Sequence, residues 1–185
     1  MYDCWNTAKR IERLSGKTEQ IKFYSLRAYE PIERCQIIEY ALKKFGNETG
    51  LCVIDGIADL ALAINDELEA TRIASMLLKI TKEYNMHCAI VIHQNKNDNF
   101  ATGHLGSSVI KKSETIISVN RKKGTNDTEV KCEGSRGEAF EPFDFNINEN
   151  GLPFLCNNQD IPLKNFYEKE EDENFECSSN EEIPF

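Results

Sequence analysis

The chain has 185 residues, of which 40% are hydrophobic and 29% are charged, values that are ordinary for a globular protein. No apolar run approaches the length of a membrane span, and the first residues do not resemble a signal peptide, so we expect a cytoplasmic protein without a membrane partner. The length suits one full domain plus a tail and excludes two large domains.

Charge and cysteine content further limit the class of protein. The net charge of −9 is concentrated in residues 166–185, where eight acidic side chains face one lysine. The rest of the chain is nearly neutral, which neither predicts nor excludes a nucleic-acid partner. The seven cysteines include no C-x-x-C pair, which argues for reduced thiols and against a zinc site or a disulfide framework. We therefore expect one domain over residues 1–155 and an acidic, disordered tail over 156–185.

Apolar periodicity predicts the helices and strands in chain order. Helices are expected over residues 3–14, from Pro31 to Phe45, over 64–84 with Asn65 or Asp66 as the cap, and over 107–113. In the longest helix Ile73, Leu77 and Ile80 are expected to face the core, and Glu67, Glu69, Arg72 and Lys79 the solvent. Strands are expected over residues 21–26, 51–55, 88–92, 114–120, 129–133 and 140–147, with the domain ending at 150–153. The alternation predicts a parallel sheet with right-handed crossovers, finished by an antiparallel hairpin.

The first expected strand of the parallel sheet ends in Asp55 and Gly56. Four apolar residues run unbroken into this pair, as in a strand buried on both faces. A carboxylate at the carboxyl end of such a strand lies where α/β sheets bind ligands. In P-loop proteins this is the Walker B position, whose aspartate holds the magnesium of a bound nucleotide. The alternative is a turn-forming Asp-Gly pair.

Two other segments concern phosphate or ligand binding. The tripeptide Gly16-Lys17-Thr18 is not a Walker A motif, because Ile11 stands where the motif needs glycine and a helix, not a strand, precedes it. We expect a helix-ending turn there. The polar loop 97–106 is too long for a plain connection and is expected to be functional or mobile.

Four motifs in order resemble a known family. The Walker B strand is matched by Leu51–Gly56, and the phosphate-sensing strand end by His93–Lys96. The DNA-facing loop and helix are matched by Gly103–Glu114, and the arginine-finger hairpin by Ser135–Gly137. Together they resemble the carboxyl-terminal two-thirds of a RecA-like ATPase core, over roughly residues 1–153. The likeness is to the RepA/DnaB-type replication and mobilization ATPases of mobile elements in Bacteroides-like bacteria.

The resemblance implies a fold and a set of roles. The fold is α/β, a three-layer RecA-like P-loop NTPase sheet, mostly parallel with a carboxyl-terminal antiparallel hairpin and truncated at its amino end. ATP and Mg²⁺ are the implied cofactors, with Asp55 as the metal ligand and Asp59 beside it. Gln94 would sense the terminal phosphate, and Arg136 would reach the nucleotide of a neighbouring subunit in a ring.

The resemblance also implies limits to activity. The family's phosphate loop and water-activating acid would precede residue 1, and Gly134 stands where the family has a lysine. We therefore expect the chain to be inactive as an ATPase on its own.

Nucleic-acid and protein partners are implied as well. Single-stranded DNA would contact the basic and polar side chains of the third motif and its surroundings, namely Lys96, His104, Lys111 and Lys112. The last residues, Ile183, Pro184 and Phe185, resemble the acidic tip of bacterial single-stranded-DNA-binding proteins, which docks on replication and repair enzymes. An alternative is a solubilising tail that ends in Phe185 by chance.

Two other functions remain open. The chain would be a non-catalytic DNA- or partner-binding module if only its basic loops and docking tail are used. A small-molecule enzyme on a doubly wound sheet ranks last, because no catalytic dyad or cofactor fingerprint is present.

Overall fold

Four α-helices and six strands form the part of the chain that the computed structural model describes, residues 4–15, 20–94 and 103–156. The helices are α1 (Cys4–Ser15), α2 (Pro31–Phe45), α3 (Glu67–Glu83) and α4 (Gly103–Lys112). The strands are β1 (Leu51–Asp55), β2 (His87–Val91), β3 (Thr115–Arg121), β4 (Thr128–Ser135), β5 (Phe143–Ile147) and β6 (Pro153–Leu155). Two short 3-10 helices, Gly46–Glu48 and Ile57–Leu60, flank β1. The predicted mixed α/β class is confirmed.

Strands β1 and β2 form a parallel pair connected through α3. Their register runs from Leu51 opposite His87 to Asp55 opposite Val91. The expectation that β1 is buried on both faces is wrong, since Leu51 is 59% exposed and Val53 is 61% exposed. Only the alternate face, with Ile54 at 7% exposure, packs against the helices. The period of two in strand side chains thus separates a core face from an uncovered apolar face.

Helix α3 fills the centre of the core. Asp66 caps it, with its side chain accepting a hydrogen bond from the backbone N–H of Glu69 at 2.9 Å. Ile73 is fully buried and Ile80 nearly so, as the periodicity predicts. Helix α4 packs along α3 and contributes Leu105, whose side chain has no exposed surface.

Helix α2 begins and ends where the sequence predicts. Pro31 occupies its first turn, and the backbone N–H of Glu30 donates to the Glu33 carboxylate at 2.9 Å. Gly46 follows the helix, and a Cβ atom there would lie 2.3 Å from the Tyr84 ring. A glycine at this position lets the end of α2 approach the end of α3.

The last four strands form a separate antiparallel sheet in the order β3-β4-β5-β6. The expected hairpin is therefore too small, and the expected mostly parallel sheet is wrong for the described strands, since only β1 and β2 pair in parallel. Pro153–Leu155 adds β6 beside β5, so the antiparallel sheet continues past residues 150–153. Phe140 lies outside β5.

Two further expectations need correction. Residues 21–26 form no strand. Helix α4 begins at Gly103, so the second half of the expected loop 97–106 is helical. The turn expected at residues 16–18 and the first half of the loop lie outside the described residues, as does the tail from residue 157. None of the described helices has the length and apolar character needed to cross a bilayer.

Candidate functional site

Two predicted site residues lie at or just beyond the carboxyl edge of the β1–β2 pair. Asp55 is the last residue of β1 and is exposed, and its partner in register is Val91, the last residue of β2. Gln94 follows Val91 by three residues, is exposed, and forms an isolated β-bridge. The backbone is tight here, since a Cβ at Gly56 would lie 3.4 Å from the carbonyl oxygen of Val91. A carboxylate and an amide at one strand edge are suited to a hydrated Mg²⁺ and a phosphate.

Asp59 lies on the 3-10 helix after β1 and contacts α2. The Arg34 guanidinium donates to the backbone carbonyl oxygen of Asp59 at 2.7 Å, and lies 3.9 Å from its carboxylate. The same guanidinium donates to the carbonyl oxygens of Leu26 at 3.0 Å and Arg27 at 3.4 Å. Arg34 therefore fixes the segment that follows Asp55 to α2 and to the chain before it.

A second arginine holds the same segment from the other side. Arg72 donates to the carbonyl oxygen of Leu60 at 3.1 Å, to the Cys35 thiol at 3.7 Å, and to both carboxylate oxygens of Glu69 at 3.1 Å. Arg72 is exposed, as the periodicity predicts, and Glu69 is partly exposed; both also make specific contacts, since the backbone N–H of Leu62 donates to Glu69 at 3.3 Å. The hydrogen bond from Arg72 lowers the pKa of Glu69 and raises the pKa of Arg72 itself.

Sequence reasoning missed the positioning roles of Arg34 and Arg72. Their acceptors include residues 25 and 37 positions away in the chain, so no local pattern reports these contacts. The available signal was only that both arginines lie on helices that flank the strand ending in Asp55.

Arg136 lies at the carboxyl end of α4. Its backbone N–H donates to the carbonyl oxygen of Glu114 at 2.9 Å, and its guanidinium donates to the carbonyl oxygen of Lys111 at 3.4 Å. Lys111 and Lys112 form the last turn of α4, and all three side chains are exposed. A helix carboxyl end carries unpaired carbonyl groups and favours nearby cations. We call Lys111, Lys112 and Arg136 the basic cluster.

The predicted DNA-facing segment divides into buried and exposed residues. Leu105 and Gly106 are buried in the first turns of α4, so they do not face a ligand. His104 is exposed at the start of the same helix. It lies about 10 Å along the helix axis from Lys111, at about 1.5 Å per residue.

Lys122, which lies between β3 and β4, is paired with Asp144 at 2.6 Å, which raises the pKa of the lysine. Lys96 and the terminal Ile183, Pro184 and Phe185 lie outside the described residues. Within the described ranges no three metal-binding side chains come together as a ligand group.

Comparison with known proteins finds likeness to solved structures. No family model and no curated protein matches the chain. Among solved structures, the chain is similar to one titled the RadB recombinase, with a TM-score of 0.47 and 16% sequence identity. The match covers 64% of this chain and 57% of the RadB chain, so the chain spans just over half the length of that protein. The two sequences differ too much for the likeness to indicate a shared activity.

Proposed function

We propose that this chain is a portion of a RecA-like ATPase core of the RepA/DnaB type, which acts in the replication or mobilization of mobile-element DNA. The observation that supports it is the placement of Asp55 and Gln94 at one exposed edge of a parallel strand pair. Open α/β sheets bind ligands at this edge. The order of the four motifs in the sequence supports the RepA/DnaB type of ATPase.

Each residue at this edge has a proposed role. The Asp55 carboxylate would hold Mg²⁺ through water, and the Gln94 amide would contact the terminal phosphate of ATP. Bound Mg²⁺ would supply charge neutralisation at the phosphates. Asp59, which contacts Arg34, would position the segment after Asp55 instead of binding the nucleotide directly.

Weak nucleotide binding is expected from the chain alone. Among the described residues no glycine-rich loop joins a strand to a helix in the way that cradles phosphates. Arg136 would act on the nucleotide of a neighbouring subunit, which requires a homo-oligomeric ring with heterologous contacts.

Amide NMR spectra of the 185-residue chain, titrated with ATP and Mg²⁺, test the proposal because they detect weak binding. We expect Mg²⁺-dependent shifts at Asp55, Gly56 and Gln94. Asp55→Asn should abolish these shifts. Glu67→Gln, which removes an equal charge from the exposed first turn of α3, should leave them intact. Shifts elsewhere, or shifts that survive in Asp55→Asn, would contradict the proposal.

The basic cluster favours a second candidate function, a non-catalytic single-stranded-DNA-binding module. Three exposed cations lie at the end of α4, and no ion pair links any of them to an acidic side chain within the described residues. Such a cluster neutralises backbone phosphates regardless of sequence. His104 and Lys96 would extend this surface, and Ile183, Pro184 and Phe185 would dock on replication or repair proteins.

Fluorescence anisotropy with a labelled single-stranded oligonucleotide tests the DNA-binding role. The double variant Lys111→Gln/Lys112→Gln should weaken binding and reduce the log–log salt slope by about 1.4, since each single-strand phosphate contact contributes about 0.7. The control Lys79→Gln/Lys82→Gln removes two lysines from α3 and should retain the parent slope. An equal loss in both variants would mean that net charge, not the basic cluster, determines binding.

A further inference from the structure

Two cysteines lie directly opposite each other in the parallel pair. Cys52 of β1 and Cys88 of β2 are partners in register, and both half-buried side chains pack on the core face of the pair. Neighbouring strands lie about 4.8 Å apart, and the Cα atoms of disulfide-bonded residues lie about 4.4–6.8 Å apart. The backbone thus already places the two Cα atoms at a spacing that suits a disulfide.

The two thiols share a hydrogen bond that makes them chemically unequal. It lowers the pKa of Cys52 to about 7 against the opposing effect of burial. The same hydrogen bond, followed by burial, raises the pKa of Cys88. The lowered pKa favours the thiolate form of Cys52, and the thiolate is the form that attacks disulfides. Cys88 keeps its proton and remains available as a second thiol.

We propose that Cys52 and Cys88 form a redox modification site that reacts with small-molecule disulfides and closes a disulfide between β1 and β2. In the first step the Cys52 thiolate attacks one sulfur of oxidised glutathione, and one glutathione thiolate leaves. In the second step Cys88 loses its proton to solvent and attacks the Cys52 sulfur, which expels the second glutathione thiolate. Two protein thiols are oxidised and one small disulfide is reduced to two thiols.

The site differs from the other described cysteines. Cys132 lies opposite Ile117, which is not a thiol. Cys156 donates a hydrogen bond to the Asp127 carboxylate, and burial together with this carboxylate raises the pKa of Cys156. Cys35 is 5% exposed and contacts Arg72. Among the five cysteines whose side chains the structure describes, only Cys52 and Cys88 are partners in register across a strand pair.

The disulfide should be reversible. Although the Cα spacing of about 4.8 Å already suits a disulfide, the Cβ atoms of partners in register start at about that same spacing and must approach to about 3.8 Å, which strains the bond. Strained disulfides are the more readily reduced ones. Since Asp55 lies three residues, or about 10 Å, beyond Cys52, the bond would form at the opposite end of the strand from the candidate nucleotide edge.

Intact-mass measurement and peptide mapping after incubation with oxidised glutathione test the proposal. The parent chain should lose two hydrogen masses and yield one linked peptide containing Cys52 and Cys88, and dithiothreitol should restore it. Cys88→Ala should stop at one glutathione attached to Cys52. Cys132→Ser should react like the parent.

Three results would overturn the proposal. The first is a linked peptide that joins other cysteines, and the second is a parent chain that keeps a stable glutathione on Cys52. The third is a native chain that reacts no faster at Cys52 than at Cys132. Amide NMR spectra of each reduced variant would verify that the strand pair is intact, so a folding defect would not be read as lost reactivity.

Discussion

Replacing Arg34 by methionine should destabilise the protein strongly although the side chain lies near the surface. The Arg34 side chain is 19% exposed, and its guanidinium donates to the carbonyl oxygens of Leu26, Arg27 and Asp59. Methionine retains the aliphatic stem and removes every donor. The three carbonyl groups would then depend on water for hydrogen bonding.

The expected loss follows from the geometry of these bonds. Hydrogen bonds to a charged group contribute about 1.5–3 kcal/mol each, and the two short bonds at 2.7 and 3.0 Å account for most of the expected loss. The bond at 3.4 Å and the partly exposed ion pair at 3.9 Å add little. Allowing for solvent screening, we expect Arg34→Met to lower the free energy of unfolding by about 3 kcal/mol. Arg34→Lys should recover less than half of this, because a single ammonium group cannot reproduce the planar fork.

Urea denaturation followed by circular dichroism measures the loss. Arg27→Met is the matched control, because Arg27 is exposed and only its backbone carbonyl takes part in the contacts. The control should change the free energy of unfolding by about 0.5 kcal/mol or less. If Arg34→Met behaved like Arg27→Met, the three hydrogen bonds would contribute no net stability and the positioning role of Arg34 would be wrong.

Three further predictions concern packing, backbone geometry and pH. Ile73→Ala should cost about 2–5 kcal/mol in urea denaturation, since the side chain is fully buried, and a cost below 1 kcal/mol would mean that the core refills. Gly103→Ala should lower the melting temperature, because φ is +72° and a Cβ would lie 2.6 Å from the Asn65 side-chain oxygen; an unchanged value would refute this packing. The lowered pKa of Glu69 adds stability that is present above its unfolded pKa of about 4.3 and is lost as pH falls through the folded pKa. Glu69→Gln should therefore reduce the fall of the urea denaturation midpoint as the pH drops below about 5. Glu67→Gln should keep the pH dependence of the parent chain.

Local signals made the helices predictable. Pro31 in the first turn of α2 and Asp66 at the cap of α3 are signals that can be read from neighbouring residues in the sequence. Both helices begin at these residues. The parallel pairing of β1 and β2 was also predictable, because two short apolar runs flank a helix of crossover length.

Features that depend on distant partners were not predictable in the same way. Residues 21–26 have strand-like composition and form no strand, because strand propensity depends on a neighbouring strand to pair with. The exposure of Val53 was missed because an unbroken apolar run does not tell which face is covered. The position of Arg136 beside Lys111 depends on hydrogen bonds from the chain after β4 to the end of α4, which motif order alone does not specify.

The separation into two sheets has a consequence for the order of folding. In the antiparallel sheet, Val119 pairs with Val130 only 11 residues away, so closing this contact costs little chain entropy. In the parallel pair, Leu51 meets His87 across 36 residues and only after α3 has crossed over. Local contacts form faster than distant ones, so we expect amide protection in pulsed hydrogen exchange to appear in β3 and β4 before β1 and β2. The strand edge at which Asp55 and Gln94 lie would then be among the last of the described parts of the chain to fold.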